Sequence, residues 1–485
     1  MAQGTLPQVR EYSYLLDGQF VAHGEPVEVH APYDGAVVGR TFNAAPEDLE
    51  RAIQAAVRAF QTTRQMPSFQ RRDILNRIAA KLRDRADEIA RLIAQEAGKP
   101  IRQSKAEVER AIFTFSVGAE EATRIHGEWL PLDVLESTKN RWGILRRFPV
   151  GPVAAIIPFN FPSLLTAHKI APAIAAGCTM VLKPPPQTPL TPLIVAEIVH
   201  EAGWPAGALS VLPLTNEAAA PLISDERLRL LTFTGSTAAG WALKQKAGRK
   251  RVVLELGGNA GVIIHSDADV EAAAERCVTG GFAYAGQSCI SVQRILVQRS
   301  VCQKFLEIFV PKVRALRTGD PLDPATDVGP MIREADAHRA ADWITEALEG
   351  GAKLLCGGKR HRSLLEPTVL TSTKRTMKVN CQEVFAPVVT VEPYDTFEEA
   401  VQTVNDSPYG LQAGVFTRDA RLLFYAYDQL EVGGVIAGDV PTWRVDSMPY
   451  GGTKQSGIGR EGLKYAIEEM TEPKLLVVNQ PIGLK

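Results

Sequence analysis

Residues 228–258 read LRLLTFTGSTAAGWALKQKAGRKRVVLELGG: an apolar strand, a glycine turn, a helix and a second apolar strand. Both strands are apolar along almost their whole length, which is typical of a parallel sheet covered by helices on both faces. The same alternation begins earlier, at the apolar runs VAAIIPF (153–159), TMVLK (179–183) and LSVLPL (209–214). This part of the chain therefore predicts an α/β fold built on a parallel sheet.

A second alternating block follows the first. It begins at GVIIH (261–265) and passes through RILVQ, a helix from Val301 to Leu316, AKLLC, VVTVEPY, AGVF and GGVIAGD. A chain of 485 residues is also longer than one hydrophobic core usually organises. We therefore expect two Rossmann-like parallel-sheet domains in series, joined close to Gly257 and Gly258.

The two ends of the chain add elements outside these blocks. LLDGQFVA (15–22) predicts a hairpin around Asp17 and Gly18. Helical spacing predicts a helix that begins at Pro46 and further helices from about 70 to 96 and from about 101 to 126. WGILRRF (142–148) and KLLVVN (474–479) are outlying strands. We expect them to pair with each other and with a neighbouring subunit, because an unpaired strand edge would be exposed.

Composition and charge exclude several classes of protein. The 54 basic and 55 acidic side chains nearly cancel, which leaves no net field to hold nucleic acid or an anionic membrane surface. No apolar run approaches the roughly 18 residues of a membrane span, and the start, MAQGTLPQVREYS, lacks the apolar core of a signal peptide. We therefore expect a cytoplasmic protein. The six scattered cysteines, with no C-x-x-C pair and no histidines at ligand spacing, argue against disulfides and against a metal site.

The segment FTGSTAAG (233–240) places Gly235 and Ser236 at the junction between a strand and a helix. Backbone amides at a helix start bind phosphate groups, and the missing side chain of Gly235 would let a pyrophosphate approach. Lys183 ends the strand TMVLK, at the edge where parallel sheets bind dinucleotides. A structural glycine turn and a solvated lysine are the alternative interpretations, since the spacing is not G-x-G-x-x-G.

The segment GGFAYAGQSCIS (280–291) contains a candidate nucleophile. Cys289 follows two small-residue turns at a helix end, which is a poor position for core packing and a good one for an accessible thiol. The alternative is a small buried hydrophobic residue. That alternative is favoured for the other five cysteines, which are Cys178, Cys277, Cys302, Cys356 and Cys381.

Two further polar residues stand at strand ends. Glu255 ends an apolar strand, where a charge is costly unless it has a partner or a task, so it is a candidate general base. Asn160 lies between two prolines in PFNFP (158–162), which fixes the backbone and directs an amide donor of the kind that a developing oxyanion requires. A structural turn asparagine is the alternative for Asn160.

Taken together, these segments closely resemble the aldehyde dehydrogenase superfamily, and the resemblance extends over nearly the whole chain. Each motif alone is weak, but the ordered set is highly specific. In chain order the motifs are PFNFP with Asn160, Lys169, Lys183, FTGS, LELGGN with Glu255, GQSC with Cys289, GDPLDP from Gly319, EVFAPV with Glu383 and Phe385, and MPYGGTKQSGIGREG from Met448.

The resemblance implies a division of the chain and a reaction. It implies a dinucleotide-binding domain at 1–126 and 148–256, a catalytic domain at 257–467, and a small β oligomerisation element at 127–147 and 468–485. The Cys289 thiolate would attack the aldehyde, and the oxyanion would be held by the Asn160 amide and the Cys289 backbone N–H. Glu255 would activate the water that hydrolyses the thioester. A homodimer or homotetramer is implied as well.

The resemblance also assigns residues to the cofactor, NADP or NAD. Glu383 would hold the nicotinamide ribose, Phe385 would pack beside the ring, Lys183 would reach the adenine ribose, and Lys169 would relay a proton or orient the cofactor. Many NAD-preferring relatives carry a glutamate three residues after the lysine, where this chain has Pro186. We therefore expect NADP to be accepted at least as well as NAD. The remaining expected cofactor residues are Pro158, Phe159, Gly235, Ser236, Glu255, Leu256 and Gly257.

The substrate tunnel of the family corresponds to Arg110, Phe161, His168, Ser288, Ile290 and Arg444 in this chain. Two arginines and a histidine favour a small polar aldehyde with a carboxylate, phosphate or hydroxyl at its far end. Semialdehydes, lactaldehyde-like and glyceraldehyde-phosphate-like compounds are the candidates, and the serine at 288 weakens the phosphate case. The alternative is that Arg110 is a solvated helix charge paired near Glu107 or Glu109, and that Arg444 is a rim residue.

Two other functions stay open at this point. In the acyl-transfer branch of the superfamily, coenzyme A instead of water takes the acyl group, but that branch typically lacks a glutamate at the Glu255 position. The other is a member of the fold that has lost its activity and serves as a binding or structural protein. The intact Cys289, Glu255 and Asn160 argue against that second alternative.

Overall fold

The computed structural model describes residues 9–480. Positions 1–8 and 481–485 of the expected domains, including the start of the N-terminal segment, therefore lie outside the described residues. The helices are α1 (Pro46–Thr63), α2 (Ser68–Asp84), α3 (Ala86–Ala97), α4 (Ile101–Glu121), α5 (Pro162–Ala176), α6 (Leu190–Glu201), α7 (Ala220–Ser224), α8 (Thr237–Lys246), α9 (Val270–Phe282), α10 (Arg299–Arg314), α11 (Glu334–Glu349), α12 (Lys378–Cys381), α13 (Phe397–Asn405), α14 (Ala420–Gln429) and α15 (Leu463–Glu469).

The strands alternate with these helices over most of the chain. They are β1 (Tyr14–Leu16), β2 (Gln19–Val21), β3 (Glu25–His30), β4 (Val37–Asn43), β5 (Glu128–Pro131), β6 (Arg141–Pro149), β7 (Val153–Ile156), β8 (Met180–Lys183), β9 (Leu209–Val211), β10 (Leu230–Thr234), β11 (Arg251–Glu255), β12 (Ala260–Ile264), β13 (Val292–Gln298), β14 (Lys353–Cys356), β15 (Arg360–His361), β16 (Leu364–Leu365), β17 (Thr368–Thr371), β18 (Val388–Tyr394), β19 (Tyr409–Gly410), β20 (Gln412–Phe416), β21 (Gly434–Ala437), β22 (Thr453–Lys454), β23 (Gly457–Ile458) and β24 (Thr471–Asn479).

The first sheet has eight strands in the order β2-β1-β9-β8-β7-β10-β11-β23. Its central strands β9, β8, β7, β10 and β11 run parallel. The hairpin β1/β2 closes one edge and β23 closes the other, both by antiparallel pairing. The strand β23 follows the second sheet in sequence, so the chain returns to the first sheet near its end.

The second sheet has seven strands in the order β14-β17-β18-β13-β12-β20-β21. It is parallel except for β14, which pairs antiparallel with β17. The buried apolar residues around it form clusters separate from the large cluster of the first sheet. The expected α/β class with two parallel-sheet units is therefore confirmed.

The two outlying strands pair with each other, as expected. β24 and β6 are antiparallel from Thr471 opposite Pro149 to Asn479 opposite Arg141, and β5 adds a third strand. Leucine and valine side chains of β24 and the indole of Trp129 on β5 remain exposed. Because neighbouring residues of a strand point to opposite sides, these exposed apolar side chains lie on both faces of the three-stranded sheet.

The N-terminal hairpin and helix α1 are confirmed, but the helix expected from about 70 to 96 is two helices, α2 and α3. The break is at Arg85, whose φ of −106° and ψ of 15° lie outside the helical region. Its guanidinium donates to Glu88 of α3 and pairs with Glu197 of α6. On either side of the break, α2 and α3 both pack against α4, α5 and α6. The following helix, α4, ends at Glu121 instead of about 126.

Within residues 9–480, no helix has the length and apolar character needed to cross a membrane. The same residues show no group of three or more His, Cys, Asp or Glu side chains placed to hold a metal ion. All six cysteines are free thiols. Cys178, Cys277 and Cys356 are buried as expected, whereas Cys302 and Cys381 are partly exposed on α10 and at the end of α12.

Candidate active site

A cavity of about 490 Å³ lies beyond the carboxyl ends of β7, β10 and β11. Parallel sheets bind ligands at this edge, and loops after the second sheet and helix α4 complete the wall. Lys169 and Lys183 are not part of the wall. The predicted site residues that line the cavity are Arg110, Pro158, Phe159, Asn160, Phe161, His168, Gly235, Ser236, Glu255, Leu256, Gly257, Ser288, Cys289, Ile290, Glu383, Phe385 and Arg444.

Cys289 lies on the loop between α9 and β13, after a tight turn at Ala283–Gly286. Tyr284 and Ala285 have φ of 50° and 52° in that turn, which brings the loop back toward the cavity. The thiol is partly buried, with its Sγ 2.9 Å from the Tyr450 hydroxyl. Burial raises the pKa of the Cys289 thiol to about 12, and the hydrogen bond with Tyr450 opposes that shift. The resting sulfur is therefore protonated at neutral pH.

Asn160 lies immediately before α5, in the turn that follows β7. Its Nδ2 donates to the carbonyl of Gln287, at 3.1 Å, two residues before Cys289. Its Oδ1 is buried without a hydrogen-bond partner among the described residues. The structure thus brings an amide donor to the loop that carries the thiol, although the two segments are far apart in sequence.

A buried ion pair holds the backbone at Asn160 and at the first turn of α5, which follows it. Lys99 and Glu107 are each about 1% exposed and bond to each other. Lys99 Nζ donates to the Asn160 carbonyl at 2.7 Å, and Glu107 Oε1 accepts from the Ser163 and Leu164 amides at 2.9 and 3.2 Å. Charge-assisted bonds to backbone groups are stronger than neutral ones. The pair therefore fixes the turn from which the Asn160 side chain projects.

Glu255 ends β11, where its side chain faces the cavity. It is 3% exposed, and neither carboxylate oxygen has a hydrogen-bond partner among the described residues. Burial, and then the charge of Glu461, raise the pKa of Glu255 well above its ordinary value. When ionised, a carboxylate with a raised pKa and no fixed partner is a stronger base than an ordinary glutamate and can accept a proton from a water.

A second carboxylate, Glu461, is the centre of a buried charge network. Its Oε1 accepts from Lys169 at 2.9 Å, and its Oε2 lies 3.1 Å from Arg444 Nη2 and 3.2 Å from His168 Nδ1. Burial alone would raise the pKa of Glu461, but Lys169, His168 and Arg444 outweigh it and hold the pKa well below its ordinary value. Lys169 therefore lies behind the cavity wall and donates a hydrogen bond to Glu461, which is part of the wall.

Asp446 extends the network to the predicted substrate residues. It lies 3.0 Å from His168 Nε2 and accepts two bonds from the Arg110 guanidinium, at 2.7 and 3.0 Å. Arg110 is therefore not paired near Glu107 or Glu109 on its own helix. Arg444 is buried rather than on the rim, with its guanidinium 3.5 Å from the centre of the Tyr450 ring.

The other end of the cavity has the features that a dinucleotide requires. Gly235 precedes α8, whose N-cap Ser236 accepts from the Ala239 amide, and a Cβ at Gly235 would lie 2.5 Å from the Phe233 ring. Glu383 accepts from the Gly258 amide at 3.0 Å, and burial raises the pKa of Glu383 to about 7. These residues fit a phosphate and a ribose hydroxyl respectively.

Two further expected cofactor residues differ in their placement. Phe385 packs edge-on against Phe159, with ring centres 6.0 Å apart, and its φ of 51° is unusual for a residue with a side chain. Lys183 ends β8 and is buried outside the cavity wall. Burial lowers the pKa of Lys183, and the neighbouring Glu217 carboxylate opposes that shift.

The model of the aldehyde dehydrogenase family matches residues 20–476 of this chain. The chain belongs to the aldehyde dehydrogenase family. The expected family and enzyme class are therefore confirmed. The thiol, the glutamate and the amide are all present in the cavity, which argues against a binding protein without activity.

The chain is similar along nearly its full length to family members with stated substrates. A 3-sulfolactaldehyde dehydrogenase from Priestia megaterium is 44% identical over 98% of this chain and 99% of the relative. Aldehyde dehydrogenase 21 from Physcomitrella patens, in complex with its reaction product succinate, is 44% identical, with a TM-score of 0.97 and 99% and 100% of the two chains covered. Glyceraldehyde-3-phosphate dehydrogenase GapN from Methanocaldococcus jannaschii, complexed with NADP, is 38% identical, with a TM-score of 0.91 and 95% and 100% covered.

Several residues of this aldehyde dehydrogenase site were not found from the sequence. Tyr450 and Glu461 lie within the quoted motif MPYGGTKQSGIGREG, so a signal was present, but no role was assigned to either. Asp446 stands in a loop without a recognisable motif, Lys99 looks like a solvated charge between two helices, and Glu107 looks like a solvated charge on a helix. Their roles depend on partners from other segments, which a single sequence does not show.

We expect Glu107→Gln to lower kcat by about 10- to 100-fold with a smaller change in KM, because Lys99 loses its counter-charge and the Asn160 turn loosens. The measurement is steady-state kinetics below the unfolding temperature, with circular dichroism to show that the variant is folded. Glu109→Gln, an exposed position two residues along the same helix, is the control. A folded Glu107→Gln variant with the kcat of the unmodified enzyme would contradict the positioning role.

Proposed function

We propose that this enzyme oxidises a small polar aldehyde, with an anionic or hydroxyl group at its far end, to the free carboxylic acid. NAD or NADP is the cofactor. The substrate class is supported by the polar wall that Arg110, His168 and Arg444 form in the cavity that also contains Cys289.

The charges of that wall favour an anion. In the wall itself Arg110 and Arg444 are positive and Glu461 is negative, and behind the wall Lys169 and Asp446 add one charge of each sign. The Nε of Arg444 has no hydrogen-bond partner among the described residues, and the Asp446 carboxylate lies 3.8 Å from it. The planar guanidinium of an arginine suits a carboxylate or sulfonate oxygen.

The relatives agree with this substrate class. One of them is named for 3-sulfolactaldehyde, and another was solved with succinate, a dicarboxylate. Both the sulfonate and the second carboxylate are anions separated from the reacting carbon by a short chain. We therefore place the substrate among aldehydes of three or four carbons with one terminal anionic or polar group.

In the proposed reaction, the Cys289 thiol loses its proton to solvent and the thiolate Sγ attacks the aldehyde carbon, and the resulting oxyanion is held by Asn160 Nδ2 and the Cys289 backbone N–H. The nicotinamide, when bound, accepts the hydride. Glu255 then takes a proton from a water that hydrolyses the thioester on Cys289. The coenzyme A-acylating alternative is not favoured, because a carboxylate able to activate water stands in the cavity.

The residues around the cofactor have separate proposed roles. Gly235 and Ser236 would hold the pyrophosphate at the start of α8, and Glu383 would hold the nicotinamide ribose. Lys183 would reach the adenine ribose, and Lys169 would move a proton through Glu461, to which it is bonded. The other cofactor and substrate contacts are proposed for Pro158, Phe159, Leu256, Gly257, Phe385, Phe161, Ser288 and Ile290, all of which line the cavity.

We propose the domain division given by the family resemblance, with residues 1–126 and 148–256 for the cofactor and 257–467 for catalysis. The edge strand β23 and helix α15 modify this division, because β23 pairs with the first sheet and α15 packs on α5. We also propose that 127–147 and 468–485 form the contact of a homodimer or homotetramer. The exposed apolar side chains of β24 and β5 support that contact.

Cys289→Ser is expected to abolish turnover while leaving cofactor binding, because a serine hydroxyl has almost no anionic form near neutral pH. Glu255→Gln is expected instead to accumulate an acyl-enzyme, seen by intact mass spectrometry as a mass added at Cys289 after one turnover. Normal turnover by the serine variant would reject the assignment of the nucleophile. Full activity of Glu255→Gln with no trapped acyl group would reject the role of the glutamate.

For the substrate class, kcat/KM is expected to be at least about 10-fold higher for 3-sulfolactaldehyde, lactaldehyde or succinic semialdehyde than for hexanal or benzaldehyde. Arg110→Ala should lower kcat/KM for the anionic aldehydes and leave hexanal nearly unchanged. Arg102→Ala, on the same helix but bonded to Asp327, is the matched control. The proposed class is wrong if the long apolar aldehydes are preferred and Arg110→Ala does not change the ranking.

For the cofactor, kcat/KM with NADP is expected to equal or exceed that with NAD. Pro186 is exposed and offers no carboxylate to bond a ribose hydroxyl or repel a 2′-phosphate. Pro186→Glu should shift the preference toward NAD by about 10-fold or more, and Lys183→Met should weaken NADP more than NAD. A preference of the unmodified enzyme for NAD of ten-fold or more would reject this expectation.

A further inference from the structure

Tyr450 makes a contact that the family reaction, as described above, does not use. Its hydroxyl oxygen lies 2.9 Å from Cys289 Sγ, within hydrogen-bonding distance of the nucleophile. The residue is 3% exposed, and its ring packs with Ile290 and Leu411. A buried tyrosine hydroxyl needs a hydrogen-bond partner, and here that partner is the reacting sulfur.

The position of the Tyr450 ring is fixed from two sides. Its backbone N–H donates to the Glu461 carbonyl at 3.1 Å, and the Glu461 N–H donates back at 2.6 Å. On the ring face, the Arg444 guanidinium carbon stands 3.5 Å from the ring centre. A cation over the ring favours the phenol as a hydrogen-bond donor, because it stabilises negative charge on the aromatic system.

The direction of the hydrogen bond depends on the state of the sulfur. While Cys289 is a thiol, either group can donate, but a thiolate has no hydrogen, so Tyr450 must then be the donor. A hydrogen bond to the charged form of a group favours that form. Among the groups that face Cys289, Tyr450 and Arg444 favour the thiolate, whereas burial and the carboxylates of Glu255 and Glu383 oppose it.

We propose that Tyr450 is a positioning residue for the nucleophile: its hydroxyl holds Cys289 Sγ toward the cavity and donates a hydrogen bond to the thiolate. This inference rests on the proposed role of Cys289 and is independent of the substrate class. Tyr450 has no role in the proposed hydride transfer or in the hydrolysis of the thioester, which depend on the groups described above.

The test is the pH dependence of Cys289 alkylation by iodoacetamide, without aldehyde or cofactor, followed by peptide mass mapping. In Tyr450→Phe the ring, and with it the contact with Arg444, is kept and only the hydroxyl is lost. We expect the alkylation rate to fall by about 10-fold at every pH between 7 and 9, as for a lost hydrogen bond to a charged group whose pKa lies above that range. The value of kcat/KM should fall over the same pH range.

Tyr394→Phe is the matched control, since Tyr394 is a buried tyrosine whose hydroxyl bonds to His265 and the Ile264 carbonyl, away from the cavity. It should leave the Cys289 profile unchanged, and labelling of the partly exposed Cys381 should be equal in all variants. An unchanged Cys289 profile in Tyr450→Phe, or one moved to lower pH, overturns the proposal. Turnover by Cys289→Ser would instead overturn the proposed nucleophile, so the two failures are distinguishable.

Discussion

The carboxylate of Glu461 holds together segments on which the whole site depends. It bonds to Lys169 and His168 on α5, the helix that begins just after Asn160, and to Arg444 in the loop before Tyr450. Lys169, Arg444 and Glu461 are buried, so removal of one charged partner would leave the others uncompensated, at a cost of about 3 to 5 kcal/mol. Asn160, the polar wall and Tyr450 beside the thiol are therefore positioned by one shared interaction.

The second constraint is the close approach of backbones at the edge of the first sheet. A Cβ at Gly457 would lie 2.1 Å from the Leu254 carbonyl, and one at Gly451 would lie 2.9 Å from Glu255 Oε1. Only glycine at these positions allows the C-terminal segment to pair with β11 and to pass next to Glu255. Because β23 returns to the first sheet, a boundary drawn along the sequence does not separate the two sheets cleanly.

The sequence predicted the features that depend on local pattern, and it did not predict the features that depend on a partner far away in the chain. Apolar runs and helical spacing gave the two parallel sheets, but the break between α2 and α3 depends on the contacts of Arg85 with Glu88 and Glu197. The ordered motifs identified the family and the lining of the cavity. They could not show that Arg110 pairs with Asp446, which is 336 residues away, because neither local sequence differs from that of a solvated surface segment.

The network divides the buried ionisable groups into two kinds. Groups with partners, such as Glu461 and Asp446, have pKa values shifted toward their charged forms, although burial opposes this. Groups without charged partners, Glu255 and Cys289, are shifted toward their neutral forms by the same burial. The paired charges can therefore orient a polar substrate. A bare thiolate or carboxylate in this cavity is costly, so the upward shift of the pKa values of Cys289 and Glu255 follows mainly from desolvation rather than from any single contact.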